Sequence, residues 1–121
     1  MNIILDSGYL IELFSRSGKY HPTAKEVLIT SVNRKYKLHT LWECLAEASH
    51  KLNSDGRRAM LAWLAREKVH IHSSHTADLL PMSDYMAKYD SASKGDGADV
   101  TDVAIVFIEK KLKTVHIFTV D

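Results

Sequence analysis

Short apolar runs alternate with longer amphipathic stretches along this chain, and that order constrains its fold more than any other feature. Four of the runs predict strands, and the stretches between them have helical spacing. The predicted strands are Asn2–Leu5, Tyr36–Thr40, Val69–Ser73 and Thr114–Val120. Strands separated by helices favour βαβ units. We therefore expect an α/β protein with three layers, α/β/α, around a parallel sheet of about four or five strands.

The same spacing predicts where the helices begin and end. The predicted helices are Gly8–Phe14, Pro22–Asn33, Leu41–Leu52, Arg57–Glu67 and Asp102–Leu112, with His75–Tyr89 broadly helical. Asn53–Gly56 predicts a turn, and Pro81 predicts a kink or a break. The composition of Asp90–Gly97 predicts a flexible loop.

Length and composition exclude several classes of protein. At 121 residues, with 45% hydrophobic and 26% charged residues, the sequence fits a single folded domain spanning 1–121. The net charge of +1 leaves RNA binding to a local patch or to bound cations. The single cysteine, Cys44, forms no internal disulfide, and it is most simply a small buried apolar residue. No apolar run reaches a membrane span and no secretory signal is visible, so we expect a cytoplasmic protein with no membrane partner.

Acidic residues stand where the predicted strands end. Asp6 directly follows the first strand and Asp121 ends the last one. A carboxylate beside a core strand is costly unless it is paired, hydrogen-bonded or bound to a metal. In parallel sheets, ligands bind outside the carboxyl ends of the strands. Asp6 and Asp121 are therefore candidate site residues.

Two further acids have competing interpretations. Asp102 opens an apolar helix, where a helix-capping or first-turn role is as plausible as a ligand role, and Asp99 competes with it for either. Glu47 lies four residues after Glu43 on nearly the same helical face, and position alone favours an exposed acid near Lys51.

Three segments together resemble the PIN-domain family, in particular its VapC-type toxin ribonucleases. They are "ILDSGYLIELF", "TLWECLAEASHKL" and "TDVAIVFIEKKLKTVHIFTVD". The resemblance favours Glu47 over Glu43 and Asp102 over Asp99, which stays a possible auxiliary ligand. It implies that Asp6, Glu47, Asp102 and Asp121 form one catalytic and metal-binding site.

The resemblance also implies the chemistry and the partners. Carboxylates suit Mg²⁺ or Mn²⁺, and the family's reaction is hydrolysis of RNA phosphodiester bonds. Asp6 and Asp102 would be the primary metal ligands, Glu47 a ligand or the acid that orients water, and Asp121 an outer ligand. A cognate antitoxin protein and a homodimer are expected. Basic residues at the edge of the site would contact the RNA backbone, namely Arg16, Lys19, Lys51, Arg57 and Arg58.

Other interpretations stay open at this stage. The chain could be a PIN-like binding or scaffold module with weak or no activity. A receiver domain fits poorly, because neither Tyr36–Thr40 nor Val69–Ser73 ends in the expected Asp. His70, His72 and His75 do not form a recognised metal-ligand set, so surface or edge-strand packing is the better interpretation. Trp42 and Trp63 are more typical of core or subunit contacts than of RNA stacking.

Overall fold

The computed structural model describes residues 1–15, 21–92, 99–113 and 115–119. The strands are β1 (Asn2–Leu5), β2 (Lys37–Leu41), β3 (His70–His72) and β4 (Val115–Phe118). The α-helices are α1 (Ser7–Phe14), α2 (His21–Asn33), α3 (Trp42–Lys51), α4 (Ser54–Arg66), α5 (Leu79–Ala92) and α6 (Val100–Leu112). A 3₁₀ helix, Thr76–Asp78, precedes α5.

The four strands form one parallel sheet in the order β3-β2-β1-β4. Strand β1 is central, and Ile3, Ile4 and Leu5 are fully buried. Ile4 lies opposite His39 of β2 and Ile117 of β4. A parallel sheet needs crossover connections, and helices supply them between successive strands. The predicted parallel sheet is confirmed, with four strands in the described ranges.

Helices cover both faces of the sheet. On one face, the ring of Tyr9 in α1 packs against Phe118 of β4 with ring centroids 5.3 Å apart. On the other face, α6 places Lys111 close enough to His72 to contribute to lowering the pKa of that imidazole. Helices α5 and α6 pack together through Tyr85 and Phe107, whose ring centroids are 6.2 Å apart. These contacts confirm the predicted three-layer α/β/α arrangement.

Several helix boundaries differ from the predicted ones. Helix α4 begins at Ser54 rather than Arg57, because the Asn53 side chain caps it by accepting a hydrogen bond from the Gly56 N–H at 2.8 Å. Pro81 lies in the first turn of α5, where a missing N–H costs little, and the break lies before it, after the 3₁₀ helix. The predicted loop Asp90–Gly97 is wrong for 90–92, which belong to α5, and residues 93–97 lie outside the described residues. None of the helices in the described ranges is long and apolar enough to span a membrane.

Candidate active site

Asp6 lies at the carboxyl end of the central strand, between β1 and α1. Its backbone N–H donates to the carbonyl of Phe118 in β4 at 3.2 Å, which fixes it beside the end of that strand. Its Oδ1 accepts a hydrogen bond from the Tyr9 N–H at 2.9 Å, so Asp6 is the N-cap of α1. A half-buried carboxylate at a helix N-terminus is stabilised by the N–H groups and by the helix dipole. Part of the cost of placing a charge beside the core is offset in this way.

The neighbouring strand holds the end of β1 in place. The Thr40 hydroxyl, fully buried, donates to the Leu5 carbonyl at 2.7 Å, one residue before Asp6. Helix α3 begins at Trp42, immediately after β2 ends at Leu41. The first turn of α3 therefore lies at the same edge of the sheet as Asp6, which we call the carboxyl edge.

Two acids of α3, Glu43 and Glu47, lie on the same side of the molecule as Asp6. The effect of all three charges on the buried thiol of Cys44 indicates this arrangement. Cys44 is fully buried and its Sγ accepts a hydrogen bond from the Ser7 N–H. Burial and then the negative charges of Asp6, Glu43 and Glu47 together raise the pKa of Cys44 to about 12, against the lowering effect of the Ser7 N–H. Charges in solvent act over roughly 10 Å before salt screens them. The first strand and α3 thus bring Asp6, Glu43 and Glu47 around one thiol.

Glu43 has the least satisfied side chain of this group. It lies in the first turn of α3, where the Leu41 N-cap offers no side-chain hydrogen bond. Its Oε2 is buried and has no hydrogen-bond partner in the described part of the chain. A buried, unpaired carboxylate oxygen is costly unless a cation or a donor reaches it.

Asp102 has the helix-capping role that sequence analysis kept as its alternative. Asp99 is the N-cap of α6, and its Oδ1 accepts from the Asp102 N–H at 2.9 Å. Asp102 Oδ2 in turn accepts from the Asp99 N–H at 3.4 Å, which completes a capping box. Asp102 is exposed, whereas the next residue, Val103, is fully buried. Because α6 leads into β4, its N-terminus with Asp102 is directed toward the carboxyl edge.

The predicted ligand set is only partly visible. Asp121 lies outside the described residues. Within the described ranges, no three or more His, Cys, Asp or Glu side chains converge closely enough to hold a metal ion. The residues nevertheless fit a hard cation in kind. Carboxylate oxygens suit Mg²⁺ or Mn²⁺, and Glu43 Oε2 has no hydrogen-bond partner among the described residues.

The histidines form a different group from the one considered in the sequence. His39 Nδ1 lies 2.9 Å from His72 Nε2, and the rings of His70 and His72 lie 4.2 Å apart. His75 instead caps the 3₁₀ helix that precedes α5. The alternating positions His70 and His72 were visible in the sequence, but the pairing of β2 with β3 was needed to add His39.

The remaining candidates fall at the surface. Trp63 is half-buried and packs against Phe14 with ring centroids 5.7 Å apart, as expected for a core contact. Trp42 is 52% exposed, so it is not a core residue, and a subunit contact stays a prediction for it. The Arg57 Nε donates to the Ser49 carbonyl near the end of α3, and Arg58 pairs with Asp55 at 2.7 Å. Arg16 and Lys19 lie outside the described residues.

Glu43 is not one of the acids predicted from the sequence to form the site. The signal that could have kept it is its position, two residues after the end of a strand, where acids of a parallel sheet gather. The resemblance favours Glu47 over Glu43, so Glu43 is not among the predicted site residues.

Comparison with known proteins supports the fold. VapC20 of Mycobacterium tuberculosis, a toxin that cleaves the sarcin–ricin loop, superposes on this chain with a TM-score of 0.72. The alignment covers 98% of this chain and 89% of VapC20, with 18% identical residues. No protein-family profile and no curated protein matches the chain. The resemblance to VapC-type PIN domains is therefore confirmed for the fold.

Proposed function

We propose that this protein is a divalent-metal-dependent endoribonuclease, the toxin of a toxin–antitoxin pair that acts in the cytoplasm. The observation that carries the proposal is the grouping of Asp6, Glu43 and Glu47 around Cys44 at the carboxyl edge of a VapC-like fold. Ligands of open parallel sheets bind at this edge. The acids there are of the kind that binds a cation during phosphodiester hydrolysis.

The chain's own residues have distinct roles in this proposal. Asp6 is held at the strand end by the Tyr9 N–H and would bind Mg²⁺ or Mn²⁺. Glu47 would be a ligand or would orient the attacking water, and Asp102 and Asp121 would complete the set. When bound, the cation supplies a water of lowered pKa and neutralises charge on the phosphate. Without a cation the negative charges of the acids repel one another.

The test is cleavage of a mixed RNA pool with Mg²⁺ or Mn²⁺ and with EDTA. Asp6→Asn and Glu47→Gln keep the shape of the side chains and remove a charge, so each is expected to lower cleavage by at least about 100-fold, in line with the loss of a metal ligand. Asp55→Asn, on the exposed start of α4, is the matched control and is expected to cut like the wild type. Calorimetry with Mn²⁺ alone measures metal binding independently of activity.

A second function is favoured by the capping box of Asp102. An acid engaged with the Asp99 N–H and exposed to solvent has a complete structural explanation without a metal. The chain would then be a PIN-like binding or scaffold module. Asp102→Asn separates the two functions: a loss of Mn²⁺ binding supports the nuclease, and unchanged binding with a lower melting temperature supports a capping role alone.

The toxin assignment includes two partners. A small antitoxin protein would cover the carboxyl edge and a second copy of the chain would form a homodimer, both as the PIN resemblance implies. Co-expression with a neighbouring small open reading frame, followed by measurement of the mass of the complex in solution, tests both expectations. A monomer that forms no complex would count against the toxin assignment without affecting the nuclease assignment.

A further inference from the structure

All the non-glycine residues with positive φ in the described chain are lysines. They are Lys35, Lys68 and Lys113, with φ of 59°, 52° and 63°. Each follows a helix and precedes a strand: α2 and β2, α4 and β3, and α6 and β4, respectively. In a parallel sheet these turns share one side, opposite Asp6, which we call the amino edge.

Two of the turns have the same hydrogen-bond pattern. The Lys35 N–H donates to Val32 at 3.0 Å while the next N–H, of Tyr36, donates to Ser31 at 3.2 Å. In the second turn, Lys68 donates to Ala65 at 3.3 Å and Val69 donates to Leu64 at 3.1 Å. This is the Schellman motif, in which the position that Lys35 and Lys68 occupy is usually glycine.

The choice of lysine has a cost in backbone energy. A side chain at positive φ costs roughly 1 kcal/mol relative to glycine. The helix dipole favours a cation near a helix C-terminus, but a lysine one residue earlier would gain the same attraction without positive φ. Three lysines at three such turns therefore indicate a requirement for positive charge at this edge.

The order of the strands places two of these turns side by side. Strands β2 and β3 are neighbours, with His39 opposite His70. Between the turns lies a groove of about 330 Å³ whose lining includes Tyr36, Lys37, Lys68 and His70. Glu67 is the acid in this lining, and its Oε1 lies 3.6 Å from the Nε of Arg66. The groove therefore combines cations with an aromatic ring.

Basic residues gather around the turn before β2. The chain as a whole has 16 Lys and Arg against 15 Asp and Glu. The turn before β2 includes Arg34 and Lys35, and Lys37 follows at the start of the strand. At the other end of the sheet stand Asp6, Glu43 and Glu47. Several cations thus lie at the amino edge, beside Glu67, and three acids lie at the carboxyl edge.

We propose that the amino edge binds the phosphate backbone of RNA, with Lys35, Lys68 and Lys113 as phosphate contacts. The groove beside Tyr36 would accept a base by stacking, as aromatic rings do in single-strand binding. The inference rests on the proposed function, because it takes RNA as the substrate. It adds a second contact region, so part of the affinity for a folded RNA comes from a surface remote from the reacting phosphate.

The test measures binding of a structured RNA to the Asp6→Asn protein in EDTA over a range of monovalent salt. The variant Lys35→Gly/Lys68→Gly/Lys113→Gly removes three charges and suits the positive φ, so it is expected to fold at least as stably. The control Lys25→Ala/Lys88→Ala removes two charges from exposed helical positions outside the three turns. The glycine variant is expected to lower the slope of log K against log salt by about 2, and the control by less than about 0.5.

Three results would overturn the inference: equal weakening by the two variants, an unchanged salt slope in the glycine variant, or no RNA binding by the parent. Binding of polyglutamate to the three lysines that is tighter than their binding of RNA would also overturn the inference, in favour of an acidic protein partner. Cleavage by the otherwise wild-type glycine variant, measured in parallel, separates the two proposals. Metal-dependent cutting that Asp6→Asn does not abolish refutes the proposed site, whatever the salt slope.

Discussion

His39 of β2 and His72 of β3 share a hydrogen bond, with Nδ1 of the first 2.9 Å from Nε2 of the second. The other nitrogen of His39, Nε2, lies 2.9 Å from Oδ1 of Asn2 in β1. A carboxamide oxygen only accepts, so this contact assigns a proton to His39 Nε2, and in neutral His39 the Nδ1 accepts from His72 Nε2–H. Burial lowers the pKa of His39, so the neutral form makes this bridge across three strands.

This bridge predicts acid sensitivity. Burial, followed by the charge of His72, lowers the pKa of His39 to about 4, and burial also lowers the pKa of His72. The unfolded chain takes up these protons near pH 6.5, before the folded chain does. The contribution of His39 is therefore complete above pH 6.5 and is lost as pH falls toward 4, by about 3 kcal/mol at one pKa unit per 1.36 kcal/mol.

Urea unfolding at pH 7 and at pH 4.5 checks this prediction. His39→Gln does not titrate, so the difference in its free energy of unfolding between the two pH values is expected to be smaller than that of the wild type. His75→Gln, at an exposed position, is the control and is expected to follow the wild type. An equal pH dependence in all three proteins would show that His39 does not contribute to the acid sensitivity.

The hydroxyl of Thr40 is expected to position Asp6 through Leu5. Thr40→Val keeps the shape and removes the donor to the Leu5 carbonyl, which is expected to lower the free energy of unfolding by about 1 to 3 kcal/mol. If Asp6 acts in catalysis, kcat should also fall, because the strand end before Asp6 loses its anchor. Thr40→Ser retains the donor and is expected to recover most of kcat while losing some packing. A Thr40→Val protein with unchanged kcat would limit Thr40 to a structural role.

Gly56 is expected to resist replacement by alanine. A Cβ at this position would lie 2.9 Å from the Phe14 carbonyl oxygen, which is backbone at the end of α1. Helix propensity alone predicts that Gly56→Ala stabilises α4 by up to about 1 kcal/mol. We expect the clash to reverse the sign, with a loss of about 1 to 3 kcal/mol from overpacking. Chemical denaturation measures it, and Ala62→Gly on the exposed face of α4 calibrates propensity alone.

Glu43 is expected to link stability to divalent cations. Glu43→Gln removes a charge whose Oε2 is buried and unpartnered in the described chain, beside two other acids. In EDTA the variant is therefore expected to melt a few degrees higher than the wild type, consistent with roughly 1 kcal/mol of relieved repulsion. With Mg²⁺ or Mn²⁺ it should gain less than the wild type. Glu26→Gln on α2 is the control. If the cation raises the melting temperature of all three proteins equally, Glu43 does not interact with the cation.

The order of the elements could be predicted because each strand is short and apolar and each helix has its own period. The sequence did not show which strands are neighbours, and that arrangement decides the surroundings of His39. It also could not show that Asn53 caps α4, which begins three residues before the predicted start, since "NSDG" has the composition of a turn. Local chemistry fixed the types of the elements, and tertiary contacts fixed their boundaries.

The candidate site was predictable to a similar extent. Asp6 followed from a charge placed after a buried strand, and Glu47 from resemblance. Asp99 and Asp102 compete in the sequence because an N-cap and a third-position acid share the same pattern. In the structure both residues belong to one capping box. Their affinity for a cation depends on interaction energies that cannot be read from sequence spacing. Glu43 was not predicted because the resemblance favours Glu47 in this helix.

The position of Cys44 turns the chain's single thiol into a natural probe of the acidic edge. With a pKa of about 12 and no exposed surface, it should react with an alkylating reagent only when α1 and α3 separate. The rate of thiol modification under native conditions therefore measures how often this region opens. A cation or an RNA that bridges the two helices should lower the rate of thiol modification, whether or not the RNA is cleaved.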